Sequence, residues 1–151
     1  MPVQIKPMAP EHIAALAALE KRCFSTPWTA EGLREELDNP QSRFLVAVDG
    51  GEAVGYIGVQ EICGTAYVTN VAVLPAYRRR GIGRALLEAA VSGAKSRSCE
   101  SITLEVRESN APAVALYTQC GFALVGKRRA FYREPAEDAR IYTRFFEENN
   151  V

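Results

Sequence analysis

The spacing of hydrophobic positions changes several times along the chain, and each change marks a structural element. Val3 to Ile5 reads as a short strand that Pro7 stops. Pro10 opens a helix over EHIAALAALEKRCF, where Ile13, Leu16, Ala17 and Cys23 or Phe24 recur at helical spacing. Thr29 can cap a second helix, AEGLREELD, which Asn39-Pro40 ends. The period then shortens to two. RFLVAV reads as a strand, Asp49-Gly50-Gly51 as a turn, and EAVGYIGVQEI as the strand returning. Gly64 breaks the chain again before TAYVTNVAVL. The result is a three-strand antiparallel meander in which Tyr67, Thr69, Val71 and Val73 share one face.

From Gly83 to about Lys95 the pattern is helical, with Leu86, Leu87, Ala90, Val91 and Ala94 on one stripe. SITLEV returns to strand, placing Ile102, Leu104 and Val106 on one side and Thr103 and Glu105 on the other. APAVALYTQC is a helix capped by Ser109 or Asn110 and stopped at Gly121. Phe122 to Arg129 and Ala139 to Phe145 read as a closing strand pair. The order β-α-α-β-β-β-α-β-α-β-β predicts an α/β fold with a mixed sheet and helices on both faces, as one domain over residues 1–151.

Composition narrows the class. The 151 residues are 48% hydrophobic and 24% charged, which excludes a disordered or fibrous chain. Eighteen Lys plus Arg balance eighteen Asp plus Glu, so net charge gives no reason to expect direct nucleic-acid or membrane binding. No apolar run approaches the ~18 residues of a membrane span, and MPVQIKPMAPEHI lacks the apolar core of a signal peptide. Cys23, Cys63, Cys99 and Cys120 form no CxxC pair, and His12 is the single histidine, so no metal site is expected. The expectation is a soluble cytoplasmic domain with reduced thiols.

The chemistry begins at Arg78-Arg79-Arg80-Gly81-Ile82-Gly83-Arg84, between a strand and a helix. Two glycines one residue apart let backbone N–H groups approach a ligand without interference from a Cβ. They lie at a helix N-terminus, where the dipole favours an anion and arginines alone would be unfavourable. A solvated turn with surface arginines is the alternative. A P-loop is excluded because Arg84-Ala85 follows Gly83. A dinucleotide fingerprint is disfavoured because Leu86 stands where its third glycine would be and Leu74 to Arg80 separate the strand from the first glycine.

RxxGxG in this setting resembles the pyrophosphate-binding motif of the GCN5-related N-acetyltransferases (the GNAT family), which bind acetyl-coenzyme A. Downstream, LEVRESNAPAVALYTQCGF, residues 104 to 122, is similar to that family's L-E-V-R-x-S-N-x-x-A-x-x-L-Y-x-x-x-G-F stretch. Phe24 with Pro27-Trp28, Arg128 to Tyr132, and Glu137-Asp138-Ala139 resemble the F-P-W, R-R-x-Y-Y and E-D-A segments of the family's ribosomal-protein alanine acetyltransferases. Two departures are an inserted Ser25-Thr26 and Phe131 in place of the first tyrosine.

The resemblance implies a mostly antiparallel sheet splayed between its fourth and fifth strands, with acetyl-coenzyme A as co-substrate. It assigns the coenzyme to Arg78 through Arg84, to the backbone of Val71, Ala72 and Val73, and to Asn110, which can also cap its helix. It makes Glu105 the general base and Tyr117 the acid that protonates the departing thiolate. From pattern alone, Glu105 could equally be an exposed carboxylate paired with a basic neighbour, and Tyr117 a core aromatic. It implies the N-terminal alanine of a small-subunit ribosomal protein as acceptor, with Phe24, Trp28 and Tyr132 as candidate walls for that peptide. The same residues admit a family member acting on a small-molecule amine, a non-catalytic coenzyme A-binding module, or a phosphate-binding interaction domain. An α-amine, with a pKa of about 7.8 against about 10.4 for lysine, is roughly 400-fold richer in its neutral form at pH 7. A modest base therefore suffices for an N-terminus. An acetyl-cysteine route is disfavoured, since His12 and Cys23 lie about 16 Å apart along one helix.

Overall fold

A computed structural model describes residues 3–133 and 135–146. The strands are β1 (Gln4–Pro7), β2 (Leu45–Asp49), β3 (Glu52–Ile62), β4 (Thr65–Val73), β5 (Ser101–Arg107), β6 (Ala123–Arg133) and β7 (Ala136–Phe145). The helices are α1 (Ile13–Cys23), α2 (Ala30–Leu37), α3 (Ile82–Ser96) and α4 (Ala111–Gln119). Their order along the chain is the one the periodicity predicts. At the start of α1 the structure differs: His12 Nδ1 accepts the Ala9 N–H at 2.9 Å, and Pro10–His12 form a 3-10 turn ahead of the helix. Thr29 caps α2 through the Gly32 N–H at 3.0 Å, and Asn110 rather than Ser109 caps α4 through the Ala113 N–H at 3.2 Å.

All seven strands join one sheet in the order β1-β2-β3-β4-β5-β7-β6. Two cores cover its faces. On one, the α3 stripe packs with Tyr117 of α4 and with Ile102, Leu104 and Val106 of β5. On the other, Ile13, Leu16, Leu19 and Leu33 of α1 and α2 pack on Phe44, Val46, Val48 and Tyr56. The alternation along β5 therefore sets Glu105 on the face opposite α3.

The alternation predicted for β4 is corrected by a bulge. Val59 pairs with Val68 and Gly58 with Asn70, so Thr69 is the extra residue. Across it the side-chain alternation resets. Ala66, Val68, Val71 and Val73 all pack toward α3, whereas Ala72 packs with the α1 core, so Tyr67 and Val71 do not share a face. Gly58 makes room for the bulge. A Cβ there would lie 2.7 Å from the Phe44 ring and closer still to the side chains of Asn70 and Thr69.

The fourth and fifth strands run parallel, but only Thr65↔Ser101, Ala66↔Ile102 and Tyr67↔Thr103 pair. Beyond them β4 and β5 are unpaired with each other, and a cleft opens between Val68–Val73 and Leu104–Arg107. The bulge lies on one wall of this cleft and Glu105 on the other.

Candidate active site

Glu105 lies two residues past the last β4–β5 pair. One carboxylate oxygen stands 3.3 Å from Arg128 Nε, while Oε2 is buried with no hydrogen-bond partner among the described residues. A buried carboxylate oxygen is costly when unpartnered, and the cost falls when a donor such as an ammonium is brought to it. The ion-pair reading of Glu105 is met at Oε1, and Oε2 is left open.

Tyr117 belongs to the opposite core, its ring 6.0 Å from that of Phe122. Burial, aided by the neighbouring Tyr132 and Cys120, pushes its hydroxyl up to about 12. It thus keeps its proton at neutral pH. Tyr132 is half-buried, and its hydroxyl is pushed up by burial and by the Glu105 carboxylate. The Arg107 guanidinium lies over its ring at 4.3 Å.

A second bulge presents Tyr132. Arg128 pairs with Ala139 and Tyr132 with Glu137, so β6 spends two more residues on this stretch than β7 does. Ala130 takes a positive φ of 49°, and its N–H is held by Asp138 Oδ1 at 2.8 Å. Glu137 meets the Arg107 guanidinium at 3.4 Å and accepts the Ser109 N–H. The acidic pair next to Ala139 in sequence therefore fixes both the bulge and the entry to α4.

At the N-terminus of α3, Gly81 takes the left-handed conformation, φ 77°, and Arg79 a φ of 64°. The first intrahelical bond is Ala85 N–H to the Gly81 carbonyl at 3.0 Å, so the amides of Ile82, Gly83 and Arg84 point out of the helix end. A Cβ on Gly83 would meet nothing nearer than Leu116 of α4, at 3.9 Å. The fold itself does not need a glycine there, and the missing Cβ leaves these amides open to a ligand. The residues fit a pyrophosphate. Arg80 lies over the Tyr77 ring at 4.8 Å, and Arg84 pairs with Glu88 at 3.1 Å. Arg78 turns back, its Nε 3.2 Å from the Val73 carbonyl and its Nη2 3.5 Å from Cys23 Sγ. This links the arginine loop to the cleft wall formed by Val71, Ala72 and Val73.

The two aromatics near α1 separate. Phe24 is exposed just past the helix, whereas the Trp28 ring is 5.8 Å from Phe44 and packs on the second core. Trp28 thus stiffens the α1–α2 loop from beneath. Sequence reasoning passed over Glu20, which is 1% exposed. Its signal was available: Glu20 falls on the same helical stripe as Ile13 and Leu16, where a charge is out of place. Among the described residues no cluster of three His, Cys, Asp or Glu could hold a metal, the four cysteines are free thiols, and no helix is long and apolar enough to cross a membrane.

Open amides and arginines at a helix N-terminus, beside a cleft that holds a buried carboxylate, suit an anionic co-substrate next to a proton acceptor. The profile of the acetyltransferase (GNAT) family matches residues 13–122, and the chain belongs to that family. It is 35% identical over 122 residues to the [ribosomal protein bS18]-alanine N-acetyltransferase of Escherichia coli, covering 81% of this chain and 80% of that one. It is 36% identical over 144 residues to the N-alpha-acetyltransferase RimI of Mycobacterium tuberculosis, covering 91% and 89%. The crystal structure of the Escherichia coli ribosomal-protein-S18-alanine N-acetyltransferase superposes with a TM-score of 0.89 over 99% of each chain, at 28% identity.

Proposed function

We propose that this enzyme transfers acetyl from acetyl-coenzyme A to the α-amine of an N-terminal alanine on a small-subunit ribosomal protein. The observation that carries this reading is the buried, unpartnered Oε2 of Glu105 beside the open end of the β4–β5 cleft. Its relatives act on an alanine N-terminus by name, and an α-amine is the acceptor that a single carboxylate can deprotonate near neutrality.

Each residue then has a defined task. The amides at the start of α3 and the Arg78–Arg84 loop hold the coenzyme's pyrophosphate, and the Val71–Val73 backbone aligns its arm in the cleft. Asn110 fixes the start of α4 beside this cradle. Glu105 Oε2 takes the proton of the entering ammonium, directly or through one water. The freed amine attacks the thioester carbon, and the C–S bond breaks as the tetrahedral intermediate collapses. Tyr117 gives its proton to the departing thiolate, and the second amine proton passes to solvent or back to the phenolate. Phe24 and Tyr132 bound the acceptor, and Trp28 supports the loop that carries Phe24. A small first residue is selected because the amine must reach within about 3–3.5 Å of the thioester carbonyl. Direct transfer is the preferred route, and the bond from the Ala9 N–H to His12 Nδ1 supports it by occupying the lone pair a cysteine nucleophile would need.

The test is incubation with acetyl-coenzyme A and a panel of peptides and small amines, read by mass spectrometry. The expected product is the α-acetylated alanine-first peptide, with little reaction of a leucine-first peptide and none at internal lysines. Acetylation of lysine side chains, or of an aminoglycoside in preference to every peptide, would overturn the reading.

A further inference from the structure

Glu20 is the one charged side chain that the described core fully buries. It lies in the last turn of α1, and among the described residues no cation pairs with it. Instead three donors converge on its carboxylate. Oε1 accepts the Trp28 backbone N–H at 2.8 Å, and Oε2 accepts the Tyr56 hydroxyl at 2.6 Å and the Asn70 amide at 3.1 Å. Tyr56 and Asn70 also bond each other. Tyr56 comes from β3, Asn70 from the bulge of β4, and Trp28 from the α1–α2 loop. Beside this network the end of α1 touches β4 once more, with Cys23 Sγ 3.8 Å from the Val73 carbonyl.

Stability does not account for such a group. Burying a carboxylate costs several kcal/mol, and well-packed apolar side chains of similar size are often as stable or more so. What apolar packing cannot supply is direction. The three hydrogen bonds fix a loop, a helix end and a strand bulge at set distances from one another. The loop carries Phe24, and the bulge lies on the wall that holds the coenzyme arm.

We infer that Glu20 is a positioning residue that locks the Phe24–Trp28 acceptor wall to the β4 bulge, and so sets the acceptor amine in register with the thioester. The inference rests on the acceptor reading proposed above, but its first readout does not. Trp28 is the single tryptophan of the chain, so its fluorescence reports the tethered loop without any acceptor present.

In Glu20→Met the Trp28 emission should shift to the red and acrylamide quenching should rise. The KM for an alanine-first peptide should increase about tenfold or more, while acetyl-coenzyme A affinity stays within about twofold of wild type. Glu20→Gln keeps an oxygen for the Trp28 N–H and can donate to the Tyr56 hydroxyl oxygen, but its NH2 faces the Asn70 NH2. It should therefore restore the Trp28 emission and recover the peptide KM only in part. Unchanged Trp28 emission and unchanged peptide KM in Glu20→Met would overturn the inference. So would a parallel loss of peptide and coenzyme affinity, which marks a general loosening. Should Glu20→Met fail to fold, amide exchange in the wild-type protein decides. The Trp28 N–H should exchange as slowly as the amides of α1, and rapid exchange would overturn the tether. If the wild-type enzyme acetylates no alanine-first peptide, the acceptor reading fails, while the Trp28 measurements still decide whether Glu20 holds the loop.

Discussion

Arg128 neutralises only one side of Glu105. Its Nε stands 3.3 Å from Oε1 and leaves the buried Oε2 without a donor. The arginine thus pairs with one oxygen and leaves the other open, on the side where the proposed acceptor amine enters. Glu105→Gln should therefore lower kcat/KM for an alanine-first peptide by about 10²–10⁴-fold near pH 6.5, the usual range for a lost general base. The loss should shrink as pH rises past about 7.8, where solvent supplies neutral amine. A pH–rate profile of variant and wild type checks this. An equal loss at every pH would show that Glu105 orients the amine rather than deprotonating it.

Tyr117 has its hydroxyl pushed up to about 12, chiefly by burial. The neutral phenol is the favoured native form, so its contribution to stability is complete below the unfolded value of about 10. It is lost as pH rises from there through the folded value. Tyr117→Phe should remove a phenolate that titrates near 12 in the ultraviolet spectrum, and the variant should resist alkaline unfolding better over that window. Turnover should fall about 10²-fold or more across neutral pH. Wild-type turnover in this variant would reduce Tyr117 to a packing role.

What could be read from the sequence followed the range of the interactions involved. The α3 stripe and the alternation of β5 are local, so pattern alone placed Leu86, Leu87 and Ala90 in a core and Glu105 opposite Leu104. The splay of β4 from β5 depends on strands far apart in sequence, and only the family resemblance implied it. The bulge at Thr69 left no compositional mark on β4, because one extra residue in a strand resembles any other. Its trace is Gly58, on the partner strand, where any side chain would strike Asn70. Glu20 is legible only once its position on the stripe of Ile13 and Leu16 is weighed against its charge. Helical spacing alone marks where apolar residues fall and not which polar residue is buried with them.

Substitutions at Gly83 should separate coenzyme binding from stability, with effects of opposite sign. It sits in the first turn of α3, and a Cβ there has Leu116 at 3.9 Å as its nearest neighbour. Replacing a helical glycine by alanine stabilises by about 0.5–1 kcal/mol. Gly83→Ala should therefore unfold at higher denaturant yet bind acetyl-coenzyme A more weakly, and Gly83→Val should abolish binding in a folded protein. Gly81 cannot serve for this test, since its φ of 77° would strain any other residue. Calorimetry giving wild-type affinity in both Gly83 variants would remove the pyrophosphate cradle from the mechanism.

Asp138 should control the acceptor side without touching the coenzyme side. Its Oδ1 holds the Ala130 N–H at 2.8 Å, and that bond is the first cause of its lowered pKa, ahead of the influence of Lys127. A depressed folded value means the bulge is held fully above the unfolded aspartate range and released as pH falls through the folded value. Asp138→Ala leaves the Ala130 N–H without its acceptor and frees Arg129 to Phe131, the turn that aims Tyr132 at the cleft. The KM for an alanine-first peptide should rise about fivefold, the effect of one lost hydrogen bond, with acetyl-coenzyme A affinity unchanged. Asp138→Asn retains an oxygen for the same amide, so it should keep the wild-type KM while losing the acid dependence. If Asp138→Ala instead weakened coenzyme and peptide binding together, the bulge would be a support for α4 and β5 rather than a wall of the acceptor site. Isothermal titration with acetyl-coenzyme A, run beside peptide kinetics on the same three proteins, separates these outcomes.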